Sequence, residues 1–205
     1  MEMNELDRIS YALGMSMGNN FRASGIEKIN VSEFADGVAA IFDGAKPKMT
    51  YDEAKAEIQR YFSALEARQK AEAEKAGEIN AAAGAEYLKK NGARPEVITL
   101  PSGLQYEVIT PGDGPTPKET DRVEVHYTGR LIDGTVFDSS VERGTPATFG
   151  VTQVSPGWVE ALQLMKVGAK WRLHIPSSLA YGPQGAGPIG PNATLIFDVE
   201  LLRVL

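Results

Sequence analysis

The chain of 205 residues contains no cysteine, which excludes disulfide bonds, thiolate metal sites and a cysteine nucleophile. It contains only two histidines, His126 and His174, far apart in sequence. Each alternates with apolar neighbours in a strand-like segment, so we expect both side chains to face solvent rather than to bind a metal or act in catalysis. No serine or lysine occurs in a recognisable nucleophile motif. The composition therefore predicts a protein that needs neither metal nor cofactor.

Positive charge and long apolar runs are also scarce. The chain has 21 Lys and Arg against 27 Asp and Glu, for a formal net charge of -6, and no basic run exceeds two residues. These features disfavour binding of nucleic acid and a polybasic membrane anchor. No apolar run could cross a bilayer, and the polar, acidic first residues do not resemble a secretory signal. We therefore expect a cytoplasmic chain as written, or a periplasmic or outer-membrane-associated one if this is a processed mature form.

The pattern of apolar residues changes along the chain, from helical up to about residue 92 to strand-like from about residue 100. The first helix is predicted to begin after Asn4 and end at Gly25. The second is predicted to begin after Asn30 and end at Gly44. Thr50 opens a third, which is predicted to run from about residue 51 to residue 91.

The third predicted helix would span roughly 60 Å at about 1.5 Å per residue. Only its two ends carry an apolar face, and the Ala-, Glu- and Lys-rich middle predicts a solvated connecting helix. Gly77 and Gly84 each cost about 1 kcal/mol relative to Ala, which makes them candidate bend points.

The first two helices are strongly apolar, yet about forty residues rarely bury enough surface to be stable alone. Gly14 and Gly18 lie four residues apart and would let another helix approach closely. The apolar surface could pack on the C-terminal half of the same chain or on a second copy. Because the long polar helix makes the first contact awkward, we expect a homodimer through the N-terminal helices.

The C-terminal half shows the alternation of a half-buried antiparallel sheet. The predicted strands are Leu104–Thr110, Arg122–Leu131, Trp171–Pro176 and Thr194–Val204. Between the second and third of them, Trp158, Ala161, Leu162 and Met165 have helical spacing. This pattern predicts a short helix that lies across the sheet.

Five aromatic residues and one acid occur in short motifs along this half. They are found in His126-Tyr127-Thr128-Gly129, Phe137-Asp138-Ser139-Ser140, Pro156-Gly157-Trp158, Ala180-Tyr181-Gly182 and the last strand with Phe197. Core packing explains each aromatic residue taken singly. Together, in a chain without a nucleophile, they favour a pocket that recognises a compact apolar ring such as proline.

Residues from about 100 to 205 resemble an FKBP-type peptidyl-prolyl cis/trans isomerase domain, because several motifs agree in order and spacing. The N-terminal half, with Tyr11-Ala-Leu-Gly14-Met-Ser-Met-Gly18, resembles the dimerisation domain of the bacterial macrophage-infectivity-potentiator (Mip) subfamily. The resemblance implies an α+β fold with a helical dimerisation domain (1–48), a long connecting helix (49–93) and an isomerase domain (94–205). It also implies binding of proline-containing unfolded or partly folded polypeptides, and of rapamycin or tacrolimus.

The resemblance assigns a role to each matching residue. The implied catalytic residues are Asp138, Tyr181, Tyr127 and Phe197. The implied substrate-binding residues are Phe137, Trp158 under the proline ring, Val154, Ser155 through its backbone N–H, Ile189 as a cap, Phe149, and Arg143 as the partner that orients Asp138.

The chain departs from the family at Ala147, where the eukaryotic prototype has an aromatic residue, and at Ser155, where an aliphatic residue is usual. These departures bear on inhibitor affinity and sequence preference. Two alternatives to an isomerase of folding polypeptides stay open: a holdase chaperone with incidental isomerase activity, and a scaffold for protein contacts.

Overall fold

The structure, a computed structural model, describes residues 3–44 and 46–205. Helices come first and an antiparallel sheet follows, so the predicted α+β class is confirmed. The chain forms two compact units: the first ends at Gln69 and the second runs from Lys70 to Leu205. The boundary between them falls inside the third helix.

The first helix, α1 (Glu5–Ala23), has the predicted start and end. The Asn4 side-chain oxygen accepts a hydrogen bond from the backbone N–H of Asp7 at 2.9 Å. After the helix Gly25 has φ +82°, and the N–H of Ile26 donates to the carbonyl of Phe21 at 2.9 Å. This is the geometry of a glycine C-cap.

The second helix, α2 (Val31–Phe42), begins after Asn30, whose side chain accepts from the backbone N–H groups of Ser32 and Glu33. The ring of Phe34 packs edge-on against that of Phe21 in α1, with centroids 5.6 Å apart. No residue of α1 or α2 is buried. Each of these two helices therefore begins at a local capping signal and buries little apolar surface in the single chain.

The third helix, α3 (Tyr51–Asn91), runs without interruption between the predicted bounds. The N–H of Glu53 donates to the Thr50 hydroxyl, and the Glu53 carboxylate accepts from the N–H of Thr50, which forms a capping box. The predicted solvation of the middle of α3 holds up to residue 75.

The predicted solvation of the middle of α3 is wrong from Gly77 onward, because Gly77 and Gly84 are buried against the segment that leads into the last strand within the second unit. A Cβ atom at Gly77 would lie 3.1 Å from the Asn192 side-chain nitrogen, and one at Gly84 would lie 2.3 Å from the Thr194 hydroxyl. The two glycines lie where residues 191–194 come close to the helix.

The second unit contains one antiparallel sheet in the order β1-β2-β6-β7-β3-β4, and β5 also pairs with β3. The bounds are β1 Ile98–Thr99, β2 Gln105–Thr110, β3 Arg122–Leu131, β4 Val136–Ser139, β5 Ala147–Gly150, β6 Lys170–Ile175 and β7 Leu195–Val204. The four predicted strands are present, and β1, β4 and β5 are additional.

A short helix, α4 (Pro156–Leu162), covers the inner face of the sheet, as predicted. Its residues Trp158, Ala161 and Leu162 are buried with the inward-facing side chains of the central strands. Gly157 brings the start of the helix close to β6, because a Cβ there would lie 2.5 Å from Ile175.

The opposite face of β6 is also covered, which overturns the prediction for one histidine. His174 is 1% exposed; its Nδ1 lies 2.7 Å from the Tyr87 hydroxyl, and its Nε2 lies 3.3 Å from the Glu107 carboxylate. The predicted solvent exposure was wrong because α3, through Tyr87, covers this face of the sheet. Burial lowers the pKa of His174, against the opposing effect of Glu107. His126 is half-buried, with Nδ1 3.0 Å from the Ser140 hydroxyl.

Candidate functional site

Four strands, helix α4 and two adjoining loops surround a cavity of about 360 Å³ on the inner face of the sheet. The cavity is of a size that holds a small ligand. It is lined by Tyr127, Phe137, Asp138, Phe149, Gln153, Val154, Ser155, Trp158, Ala180, Tyr181 and Phe197. The structure thus brings together nine of the eleven residues implied by the resemblance.

Trp158 is the centre of the aromatic cluster and is 5% exposed. Three rings meet it nearly edge-on: Tyr127 at 5.5 Å, Phe197 at 5.3 Å and Phe149 at 6.1 Å between centroids. Edge-to-face contacts of this kind are favourable for aromatic pairs. They keep the indole in one position at the base of an apolar cavity.

Gly129 on β3 allows two of the aromatic rings that line the cavity to pack together. The rings of Phe137 and Phe197 pack edge-to-face with centroids 5.5 Å apart. A Cβ at Gly129 would lie 2.6 Å from Phe137 and 2.7 Å from Phe197, far inside contact distance. The sequence shows this glycine after Tyr127-Thr128, but the need for it becomes apparent only from the path of the neighbouring strands.

The single acid of the cavity, Asp138, is hydrogen-bonded through both carboxylate oxygens. The Tyr127 hydroxyl donates to one and the Arg143 guanidinium to the other. Arg143 also donates to the Tyr127 hydroxyl at 3.1 Å, and its guanidinium carbon lies 5.7 Å from the centre of that ring. The predicted contact between Arg143 and Asp138 is present, although Arg143 itself does not line the cavity.

This network sets the ionisation of its members. Partial burial raises the pKa of Asp138, but the hydrogen bonds from Tyr127 and Arg143 outweigh it and the net pKa lies below the ordinary value. The pKa of Tyr127 is raised by burial and by its bond to Asp138. At neutral pH Asp138 is therefore an anion whose charge is balanced by Arg143, and Tyr127 is a neutral donor.

Tyr181 lies at the rim and is 45% exposed. Its hydroxyl has no hydrogen-bond partner within residues 3–44 and 46–205, so it is available to a ligand. Ile189, the predicted cap, does not line the cavity; it is 6% exposed and packs in the core of the second unit. Gln153 and Ala180 line it without having been predicted, and each directly precedes a predicted residue.

The site combines an apolar aromatic cavity, one carboxylate held by two hydrogen bonds and the free Tyr181 hydroxyl at the rim. No group of three or more potential metal ligands occurs among the described residues. Such a site defines a protein with a binding cavity suited to a compact apolar group.

Comparison with known proteins identifies the family. Residues 114–202 match the family of FKBP-type peptidyl-prolyl cis-trans isomerases, and residues 6–108 match the domain amino terminal to FKBP-type peptidyl-prolyl isomerase. The outer membrane protein MIP of Legionella longbeachae is 46% identical over 97% of this chain and 85% of its own length. The FKBP-type 22 kDa peptidyl-prolyl cis-trans isomerase of Escherichia coli K12 is 46% identical over 96% of this chain and 94% of its own.

The fold agrees with these relatives. The crystal structure of FkpA from Escherichia coli matches with a TM-score of 0.73 and 38% identity, over 100% of this chain and 98% of that one. The chain belongs to the FKBP-type peptidyl-prolyl cis-trans isomerase family, which confirms the predicted family and activity class. Across the described residues, the structure contains no helix with the length and apolarity that a bilayer crossing requires.

Proposed function

We propose that the aromatic cavity binds the ring of a proline and lets its amide twist. Trp158 supports the ring, Tyr127, Phe137, Phe149 and Phe197 surround it, and Val154 lies at the rim. The observation that carries this proposal is the convergence of three rings on Trp158 beside a carboxylate whose charge is balanced by Arg143.

The energetics suit such a site. The barrier to rotation about a peptide bond is about 18–20 kcal/mol, and X–Pro isomers exchange over tens to hundreds of seconds. A rate on the order of 100 per second requires a barrier lower by roughly 5–6 kcal/mol. In the twisted state the amide loses resonance and its carbonyl oxygen loses negative charge, so an apolar cavity favours this state over the planar, hydrated one.

The polar groups orient the substrate in this mechanism. The Tyr181 hydroxyl and the backbone N–H of Ser155 donate to substrate carbonyl oxygens. The Asp138 carboxylate, oriented by Arg143 and Tyr127, faces the amide that twists. No proton needs to move and no covalent bond needs to form.

The test is the rate of cis/trans exchange of an Xaa-Pro peptide, measured by NMR, with the full chain. We expect clear acceleration that rapamycin or tacrolimus inhibits competitively. Trp158→Leu and Asp138→Asn should each lower kcat/KM by on the order of tenfold or more. Trp171, which stacks on Tyr106 at 4.2 Å and lies outside the cavity, provides the matched control Trp171→Leu. Folded Trp158 and Asp138 variants with unchanged kcat/KM would contradict the proposed roles.

A homodimer through the first two helices is part of the proposed function. Large apolar side chains of these helices are exposed in the single chain, among them Leu6 at 72%, Tyr11 at 65% and Phe42 at 84%. Nothing lies within 4 Å of a Cβ added at Gly14 or Gly18, so a second helix can approach there. Apolar exposure of this extent is typical of an interaction surface.

Sedimentation of the full chain tests the dimer. We expect a mass of two chains for the wild type and a shift toward monomer for Gly14→Leu, because the new side chain has room in one chain but not between two closely packed helices. Ser16→Leu adds the same side chain on the opposite side of α1 and should leave the mass unchanged. A monomeric wild type at all concentrations would overturn this part of the proposal.

The same apolar surface favours a second candidate function, that of a holdase chaperone. Two linked binding sites raise the effective concentration of a bound polypeptide without any new contact. The compact unit from residue 70 to residue 205 should then retain the rate on a short peptide but lose the ability to suppress aggregation of an unfolded protein. Full-length Trp158→Leu should show the converse. Equal suppression by the 70–205 unit, once circular dichroism shows that it is folded, would remove the chaperone role from the N-terminal helices.

A further inference from the structure

A loop rich in glycine and proline, Gly182–Pro191, follows directly after Tyr181 at the cavity rim. Three of its glycines, Gly182, Gly185 and Gly187, have positive φ values of 59°, 65° and 54°. Glycine has more backbone freedom to lose than any other residue. A loop of this composition holds one conformation only if contacts outside it fix its position.

Hydrogen bonds inside the loop close it but do not fix its position. The N–H of Asn192 donates to the carbonyl of Gly182 at 2.8 Å, which joins the two ends of the loop. Ala186 and Ile189 exchange two backbone hydrogen bonds at 2.9 Å near the tip. Gly182 is hydrogen-bonded to Asn192 and directly follows Tyr181 in the chain. A shift of Asn192 would therefore also shift the backbone next to Tyr181.

Two contacts outside the loop hold it: the side chain of Ile189 is buried in the core, and α3 supplies hydrogen bonds at the C-terminal end of the loop. The Asn80 side-chain nitrogen donates to the Pro191 carbonyl at 2.9 Å, and the Asn192 side-chain nitrogen lies 3.5 Å from the Gly77 carbonyl. Pro191 has no backbone N–H, so this carbonyl is its one backbone group for hydrogen bonding. Asn80 is half-buried at this contact.

The residues of α3 that pack against the rest of the second unit recur at helical spacing. Gly77, Gly84 and Asn91 lie seven apart and are all buried, and Asn80 and Tyr87 each follow three residues after one of the glycines. Positions spaced in this way share one face of a helix. The face consists of small and polar residues, which allows the backbone of the loop to approach the helix.

We propose that Asn80 is a positioning residue for the isomerase site. Its hydrogen bond to Pro191 fixes the C-terminal end of the loop, and the bond between Asn192 and Gly182 transmits that position to Tyr181. Asn80 lies outside the cavity and acts through Tyr181, so this inference rests on the donor role proposed for that tyrosine.

The test compares Asn80→Ala and Asn80→Asp with the exposed neighbour Glu78→Ala in the full chain. Neither alanine nor an ionised aspartate can donate to the Pro191 carbonyl. Since alanine is the better helix former, a role confined to helix stability predicts no loss for Asn80→Ala. We expect kcat/KM for an Xaa-Pro peptide to fall about 3- to 10-fold in both Asn80 variants. Glu78→Ala should match the wild type.

Two further measurements test whether the loss of kcat/KM arises through the loop and through Tyr181. Amide hydrogen exchange at Ala186 and Asn192 should become faster in Asn80→Ala, and the loss of kcat/KM should largely disappear when Asn80→Ala is made in a Tyr181→Phe background. Unchanged kcat/KM, or an equal loss in both backgrounds, would overturn the proposal. If Tyr181→Phe alone is as active as the wild type, the donor role of Tyr181 is wrong. Loop exchange that stays at the wild-type rate in Asn80→Ala refutes the anchoring itself.

Discussion

The two compact units reach their folds by different means. Among the described residues of the first unit, Leu65 is the one apolar residue that is buried, whereas the second unit has a continuous core around Trp158, β3, β6 and β7. The helices of the first unit begin at capping side chains. The second unit depends on pairings between strands that are distant in sequence, such as β3 with β7.

The difference indicates where each unit gains its stability. A single copy of the first unit buries little apolar surface, and caps with propensity alone rarely keep helices of this length folded in water. Its stability should therefore depend on association, while that of the second unit should be intrinsic to one chain. Three measurements would sharpen or break this contrast.

The largest effect should come from removing a core leucine of the second unit. Leu162 is 0% exposed, so Leu162→Ala should lower the free energy of unfolding by about 2–5 kcal/mol. Leu13 in α1 is 59% exposed in the single chain, and the same truncation there should act only through the dimer. Urea unfolding followed by tryptophan fluorescence reports the second unit, because both tryptophans lie in it, and far-UV circular dichroism reports the helices.

The dependence on protein concentration distinguishes the stability cost of Leu13→Ala from that of Leu162→Ala. The cost of Leu13→Ala should vary with concentration, as expected for a subunit contact, and that of Leu162→Ala should not. A large cost of Leu13→Ala that is independent of concentration would mean that the first unit is stable without association.

The next effect concerns two glycines in contrasting surroundings. Gly129→Ala pushes a methyl group into the rings of Phe137 and Phe197 and should destabilise the second unit by about 1–3 kcal/mol. Because those rings line the cavity, kcat/KM should fall as well. Gly37→Ala in α2 meets nothing within 4 Å and should stabilise its helix by up to about 1 kcal/mol.

Thermal unfolding and the peptide exchange rate check both variants. Wild-type activity in a folded Gly129→Ala variant would show that the two rings can move apart without loss, and that their contact does not shape the site.

The sequence predicted those parts of the fold that depend on local signals. Asn4, Asn30 and Thr50 mark helix starts because capping involves residues three positions apart. Strands β1, β4 and β5 contain two to four residues, too few for alternation to be recognised, and their partners lie elsewhere in the chain. The apolar late end of α3 was predicted, but the part of the contact face formed by Gly77, Asn80 and Gly84 was missed because glycine and asparagine give no apolar pattern.

In the candidate site, too, residues within local motifs were predicted, and features that depend on distant parts of the chain were not. Residues inside compact motifs, such as Phe137 and Asp138, were identified because the order and spacing of those motifs along the chain resemble the family. Ile189 was placed at the cavity, but the path of its glycine-rich loop turns its side chain into the core. The buried environment of His174 arises from a helix more than eighty residues away, which no local pattern could indicate.

The smallest expected difference between the two units is a dependence of their stability on pH, which we expect for the second unit alone. His174 is buried with Tyr87 and Glu107, near Arg94 and Arg172, and its pKa is lowered chiefly by burial. As pH falls below about 6.5, the ordinary histidine value, the unfolded chain takes up a proton before the folded one does. The second unit should therefore lose stability from that pH down to the folded pKa, below which the loss is complete.

Urea midpoints from tryptophan fluorescence between about pH 8 and pH 5 measure this slope in the second unit. His174→Gln should flatten it, whatever its effect on absolute stability, because the group that titrates has been removed. The first unit contains no histidine, so the circular dichroism signal of its helices should change little over the same range. An unchanged slope in His174→Gln would assign the proton uptake to another group and would remove the buried histidine from this difference between the units.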